Sequence, residues 1–206
     1  MQPYTPAHHF GRGKADPAFR TKPEIALEVL ERAGAGGIPF RAVVADCFSG
    51  DQEAFRSGLH ARGVGYGLAL KPSPAWWQRA DQIGSLWEVA HAAAYSGAEQ
   101  PGEWVAIERQ FHDGQSEIWW ALEVEVGLYG PNKTVRALVV TTDPAQLPEL
   151  STWYLISNLP VPSSDRATTS RLATASLEEV VWLYGLRMWV EQSTTQVTGA
   201  VGWAEE

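Results

Sequence analysis

The sequence predicts an α/β protein: a parallel core, interrupted by an antiparallel β-rich insertion and closed by a long C-terminal helix. Three observations carry that expectation. FRAVVAD, DQEAFRSGLHARG and VGYGLALK, within residues 40–71, read as strand, helix and strand, the pattern of a crossover unit with parallel strands. Residues 103–158 alternate apolar and polar side chains between turn-forming stretches. From Ser176 to about Val197 the apolar residues recur at helical spacing.

Taken in order, residues 1–22 are rich in Gly, Pro and polar side chains and predict an irregular arm. EIALEVLERA carries Ile25, Leu27 and Leu30 at helical spacing, so a helix runs from Pro23 to about Ala33, and GAGG stops it. The paired valines of FRAVVAD make a short buried strand that ends at Asp46. CFSG is a turn. DQEAFRSGLHARG places Phe55 and Leu59 on one helical face, with Asp51 as the N-cap, and VGYGLALK returns as the second strand, ending near Lys71. In parallel sheets the ligand site lies at the carboxyl ends of the strands, which is where Asp46 falls.

A further helix is expected over Gly84–Tyr95. After PGEW come four strand-like runs, WVAIERQF, EIWWALEVEVG, TVRALVVTT and TWYLISNL, separated by HDGQ, YGPN and DPAQLPE. Trp119 and Trp120 are adjacent in a strand and must point to opposite faces, which predicts one in the core and the other at an interface or exposed patch. VPSSDRATTS reads as a loop. Ser176, three residues before Glu179, opens the last helix as a capping box. The organisation is therefore an arm (1–22), the first part of the core (23–98), the β insertion (99–160), and a loop and helix completing the core (161–206).

Composition narrows the function classes. The net charge is −8, so the chain by itself lacks the cationic surface of a strong DNA binder, although carboxylates remain available for a metal site. A single cysteine, Cys47, excludes an internal disulfide and fits a reducing cytoplasm. No apolar run approaches the roughly 20 residues that span a bilayer. His8 and His9 have no further ligands nearby for zinc. Neither a Gly-rich phosphate loop nor a nucleophile elbow is present.

The last helix is the informative element. Leu183, Leu186, Val190 and Val197 share one stripe and are expected to face the core. Tyr184, Arg187 and Glu191 share the adjacent stripe, where a surface ion pair between Arg187 and Glu191 is the plain reading. That stripe, together with VVADCFSGD far upstream, resembles the DDE transposases of insertion sequences. Within them it is similar to the group whose RNase H-like core holds a β insertion between the second and third acidic residues. The family's last helix carries Tyr, two residues, Arg, three residues, Glu, six residues and Lys; Tyr184, Arg187 and Glu191 match, and Thr198 stands where Lys is usual. LALKPS and WYLISNLP also resemble family segments.

The resemblance implies DNA cutting and joining by two-metal phosphoryl transfer with Mg²⁺. It makes Asp46 and Glu191 catalytic metal ligands, Arg187 a bidentate phosphate contact, and Tyr184 a group positioning the DNA backbone. Lys71 becomes a phosphate contact and Trp153 a stacking surface for a flipped base, against the plainer readings of a surface lysine and a core indole. The family's first Asp has no counterpart here. The expectation is a truncated, catalytically incomplete core whose missing early strands leave an open sheet edge that invites a homodimer. The alternatives are a non-catalytic module binding through its Trp-rich sheet, or a regulator that pairs with a full-length transposase.

Overall fold

The computed structural model describes residues 4–72, 77–79, 82–110, 114–127 and 134–187. The arm contains two single turns of 3₁₀ helix, Ala7–His9 and Gly13–Ala15. Helix α1 spans Lys22–Ala35. Thr21 and Glu24 cap each other reciprocally at its start, Pro23 occupies the first turn, where no amide donor is needed, and Gly36 ends it.

The predicted strand–helix–strand unit is present. Strand β1 (Val43–Ala45) and strand β2 (Tyr66–Leu70) pair in parallel, from Val43 opposite Tyr66 to Ala45 opposite Leu68. Between them lie α2 (Cys47–Gly50) and α3 (Glu53–Ala61). Two local readings are corrected. CFSG is a single helical turn, because the Asp46 side chain captures the amide of Ser49. Asp51 is not the N-cap of α3, a position held by Gln52; its carboxylate instead accepts the backbone N–H of Lys71 at 3.2 Å, tying α2 to the end of β2.

A short hairpin that the sequence did not suggest follows, β3 (Trp77–Arg79) with β4 (Gln82–Gly84). Helix α4 (Leu86–Ala92) is shorter than expected because Ser85 and Glu88 form its capping box and Ala93 is already extended. Strands β5 (Val105–Gln110), β6 (Ser116–Gly127), β7 (Thr134–Thr141) and β8 (Thr152–Ser157) are antiparallel, as their alternation required. A one-turn helix, α5 (Arg166–Thr169), interrupts the expected loop, and α6 covers residues 177–187.

All of this is one sheet, ordered β1-β2-β8-β7-β6-β3-β4 with β5 on β6. The join is β2 against β8, antiparallel, with Leu68 opposite Ile156. Asn158 locks it: its side chain accepts from the Tyr66 amide at 2.8 Å and donates to the Val64 carbonyl at 2.9 Å.

Helices α1, α3 and α4 cover one face through Leu27, Phe55, Leu59, Leu86 and Ala90. Helix α6 covers the other through Val180, Val181 and Tyr184. Each face is therefore covered at the tryptophan pair, which overturns the expectation for it. Trp119 is 5% exposed and Trp120 8%, each in the core on its own side of the sheet. Fully buried side chains such as Leu68, Val139 and Leu155 each contribute roughly 1.5–3 kcal/mol of apolar burial.

Candidate active site

Asp46 follows the last residue of β1 directly. Its backbone is extended and its side chain caps α2, so the carboxylate is fixed at the carboxyl end of the strand by a 3.2 Å bond from the Ser49 amide. The seat of α2 is tight. A Cβ on Gly50 would stand 1.9 Å from the Ala69 carbonyl oxygen of β2, so a residue without a side chain is required there. Lys71 follows β2 on the same edge, because β1 and β2 run in parallel. β8 is antiparallel to β2, with Tyr154 opposite Leu70, so its beginning reaches this edge too.

The three strand ends and α6 enclose a cavity of about 680 Å³. Asp46, Lys71, Trp153, Tyr184 and Arg187, five of the residues singled out from the sequence, line it together, with Cys47 beside Asp46. Glu191 and Thr198 lie outside the described residues. Asp46 and Tyr184 are near enough to interact electrostatically. Burial pushes the Tyr184 hydroxyl above the ordinary tyrosine range; Arg187 opposes that shift, while Cys47 and Asp46 add to it.

The orientation of α6 corrects the expected core stripe. Leu183 is half-buried and Leu186 is 44% exposed, whereas Val180, Val181 and Tyr184 face the sheet. Tyr184 turns inward because its ring meets the edge of Trp153 at 5.0 Å. The chain entering α6 is held by cations. Arg136, buried in β7, forks onto Glu123 at 2.6 and 3.0 Å and donates to the Ala175 carbonyl at 2.6 Å. Arg41 bonds Glu179 at 2.9 Å and also reaches the Thr174 carbonyl. Ser176 and Glu179 complete the predicted capping box. Along the helix, Arg187 places one guanidinium nitrogen 3.5 Å from the Tyr184 hydroxyl.

The β7–β8 loop forms the cavity rim. Its base is zipped by hydroxyl pairs, Thr141 with Thr152 at 2.8 Å and Thr142 with Ser151 at 2.9 Å. Asp143 accepts the amides of Ala145 and Gln146 within the loop. Leu147 is buried at φ +46°, a conformation costly for a branched side chain. Leu147, Glu149 and Leu150 all line the cavity, as does Trp87 from α4. The sequence reading missed these four; the three from the loop give no periodic signal.

It also missed Arg109. This arginine is 8% exposed, lying beneath α6 with its guanidinium 4.8 Å from the Trp119 ring and 5.1 Å from the Trp153 ring. The signal was available, because Arg109 shares its strand face with Ile107, which is core.

Among the described residues, no group of three or more His, Cys, Asp or Glu side chains is placed to hold a metal ion. Asp46 and Glu149 are the carboxylates on the cavity wall, and both offer the hard oxygen donors that a magnesium-like cation prefers.

Residues 7–108 match the family described as DDE superfamily endonuclease. Over 195 residues, 94% of the chain, the sequence is 28% identical to the probable transposase for insertion sequence element IS701 of Microchaete diplosiphon; the chain spans 43% of that relative's length. Endonucleases of this superfamily generally use a divalent metal. The family match carries Asp46 and Lys71, and the relative extends the likeness across β8 and α6, so the chain is similar to DDE superfamily endonucleases and to an insertion-sequence transposase.

Proposed function

We propose that this chain is the greater part of an RNase H-like DNA-cutting and DNA-joining core, in which residues 23–98 and 161–206 form the core proper and 99–160 the insertion. The observation that carries the proposal is the meeting of Asp46, Lys71, Trp153, Tyr184 and Arg187 around one cavity, although 141 positions separate the first from the last. Asp46 and Glu191 would hold Mg²⁺ through carboxylate oxygens; Arg187 and Glu191 stand four positions apart in the sequence. When bound, two such ions activate a water or 3′ hydroxyl and stabilise the leaving oxygen of an in-line displacement.

The chain's own side chains do the rest. Arg187 takes a phosphate as a bidentate partner. Tyr184, packed against Trp153, fixes the height of Arg187 above the cavity floor. Lys71 adds a second cation at the end of β2, and Trp153 offers an aromatic surface for a base. The first Asp of the family triad has no counterpart in these 206 residues, so in this reading the chain alone binds metal and DNA without turning DNA over. Its setting is the cytoplasm, and β1, the end strand of the described sheet, is where a second chain would pair. Among the described residues no helix is long and apolar enough to cross a membrane.

The alternative of a tryptophan-rich binding sheet has less to draw on, since Trp104, Trp119 and Trp120 are buried. The test is binding of a labelled DNA duplex with Mg²⁺ or with chelator. Affinity that rises with Mg²⁺ and loses that dependence on Asp46→Ala supports the proposal. Metal-independent binding that survives Asp46→Ala and fails on Trp153→Ala would favour the aromatic module. A plasmid-nicking assay in Mg²⁺ checks the inactivity of the isolated chain; turnover abolished by Asp46→Ala would show a complete enzyme.

A further inference from the structure

We propose that Arg109 is a positioning residue that fixes the Trp153 indole as the wall of the cavity, clamping it against Trp119 beneath α6. The geometry is a three-way cluster in which the guanidinium touches both indoles. The two indole centroids are 4.4 Å apart with planes inclined by 33°, and the guanidinium carbon lies 4.8 Å from one ring and 5.1 Å from the other. Tyr184 also meets Trp153, in an edge-to-face contact at 5.0 Å.

Helix α6 is shaped to admit this cation. Gly185 sits above it, and a Cβ built there would already touch the guanidinium at 3.4 Å. Anything longer would displace the guanidinium, which explains a residue of poor helix propensity within α6. Below, Arg109 faces Glu117 across the β5–β6 ladder, and Glu117 accepts the Trp119 indole N–H at 2.7 Å, so Trp119 is anchored before Arg109 rests on it.

A buried cation is an expensive way to fill space, and a leucine of similar volume would pack at less cost. What the guanidinium adds is planarity and charge, which favour one inclination of a neighbouring aromatic ring. Trp153 needs that restraint because it is half-buried and borders about 680 Å³ of open cavity into which the ring could otherwise rotate. Arg109 itself does not line the cavity, so it acts through Trp153.

The consequence for DNA rests on the reading given above; the positioning claim does not. Two indoles this close generate an exciton couplet in the far-ultraviolet circular dichroism, identified as the signal that Trp153→Phe removes. Arg109→Leu is expected to lose that couplet while the remaining spectrum stays folded, and Arg109→Lys, which keeps the charge but not the planar group, to retain a reduced one. Should Arg109→Leu fail to fold, Arg109→Lys decides. A couplet of wild-type amplitude in whichever variant folds overturns the proposal. Binding of a fluorescein-labelled dT oligonucleotide at low salt separates the two readings. Loss of about tenfold in Arg109→Leu, with no further loss on adding Trp153→Phe, supports both. A lost couplet in a protein whose wild type ignores the oligonucleotide leaves Arg109 as the positioning residue and refutes the nucleic-acid reading of the cavity.

Discussion

The parallel unit and the antiparallel strands share one sheet but are built to different standards. β7 and β8 supply side chains of zero exposure, Leu138, Val139, Val140 and Leu155 among them, whereas every residue of β1 is half-buried. β1 is three residues long and pairs only with β2 among the described residues, yet its end carries Asp46. Full burial runs from β2 through β8 and β7, and the acidic group proposed for chemistry sits at the thin edge beyond β1, beside the cavity. Rigidity reaches that edge indirectly, through Asn158 locking β8 to the start of β2 and Arg136 holding the entry to α6.

That contrast orders the expected mutational effects. Leu155→Ala, in the centre of β8, should cost roughly 2–5 kcal/mol in a denaturant titration, because it opens a cavity in a fully buried layer. Glu123→Ala should cost about 3 kcal/mol by stripping buried Arg136 of its carboxylate and loosening the approach to α6. Asp46→Ala removes only the cap of a four-residue helix and should cost about 1 kcal/mol, while abolishing any Mg²⁺-dependent DNA affinity. A stability loss for Asp46→Ala as large as that of Leu155→Ala would erase the distinction between the two halves. Val44→Ala, on half-buried β1, should cost about 0.5–1 kcal/mol.

A pH titration sharpens the same comparison at its weakest end. Burial raises the Tyr66 hydroxyl above its ordinary range, with Arg56 and Arg166 partly opposing. A raised acid keeps its proton longer in the folded state, so its contribution is complete below about pH 10 and is lost as pH climbs through the folded value. Chemical denaturation at increasing alkaline pH should therefore show falling stability, with a shallower fall in Tyr66→Phe and no effect of pH on their difference near neutrality.

What the sequence disclosed depended on range. The β1–α3–β2 unit was legible because paired valines, Phe55 and Leu59 write their periodicity within a few turns of chain. Asp46 stood out only through the family resemblance, because an Asp after a strand is as readily the cap of the next helix, which it also is here. The closure of β2 on β8 was not legible, since it joins residues as far as 90 positions apart, as Gly67 and Ser157 are, with no local trace. The inward face of α6 was misread for a different reason. Counting leucines treats all apolar side chains alike, but Leu186 points to solvent and Tyr184 to the sheet, where Trp153 offers it an aromatic partner. Arg109 went unseen because a basic residue in an alternating strand is ordinarily assigned to the wet face, and here it lies on the face that α6 covers.

The central claim is that Asp46 and Glu191 grip the same divalent ion beside Arg187. Crystals of the chain soaked in Mn²⁺, a scattering stand-in for Mg²⁺, test it directly. The account predicts an anomalous peak about 2 Å from a carboxylate oxygen of each residue, absent in Asp46→Asn. A Glu191 carboxylate directed away from Asp46, or a manganese bound without either, would contradict it.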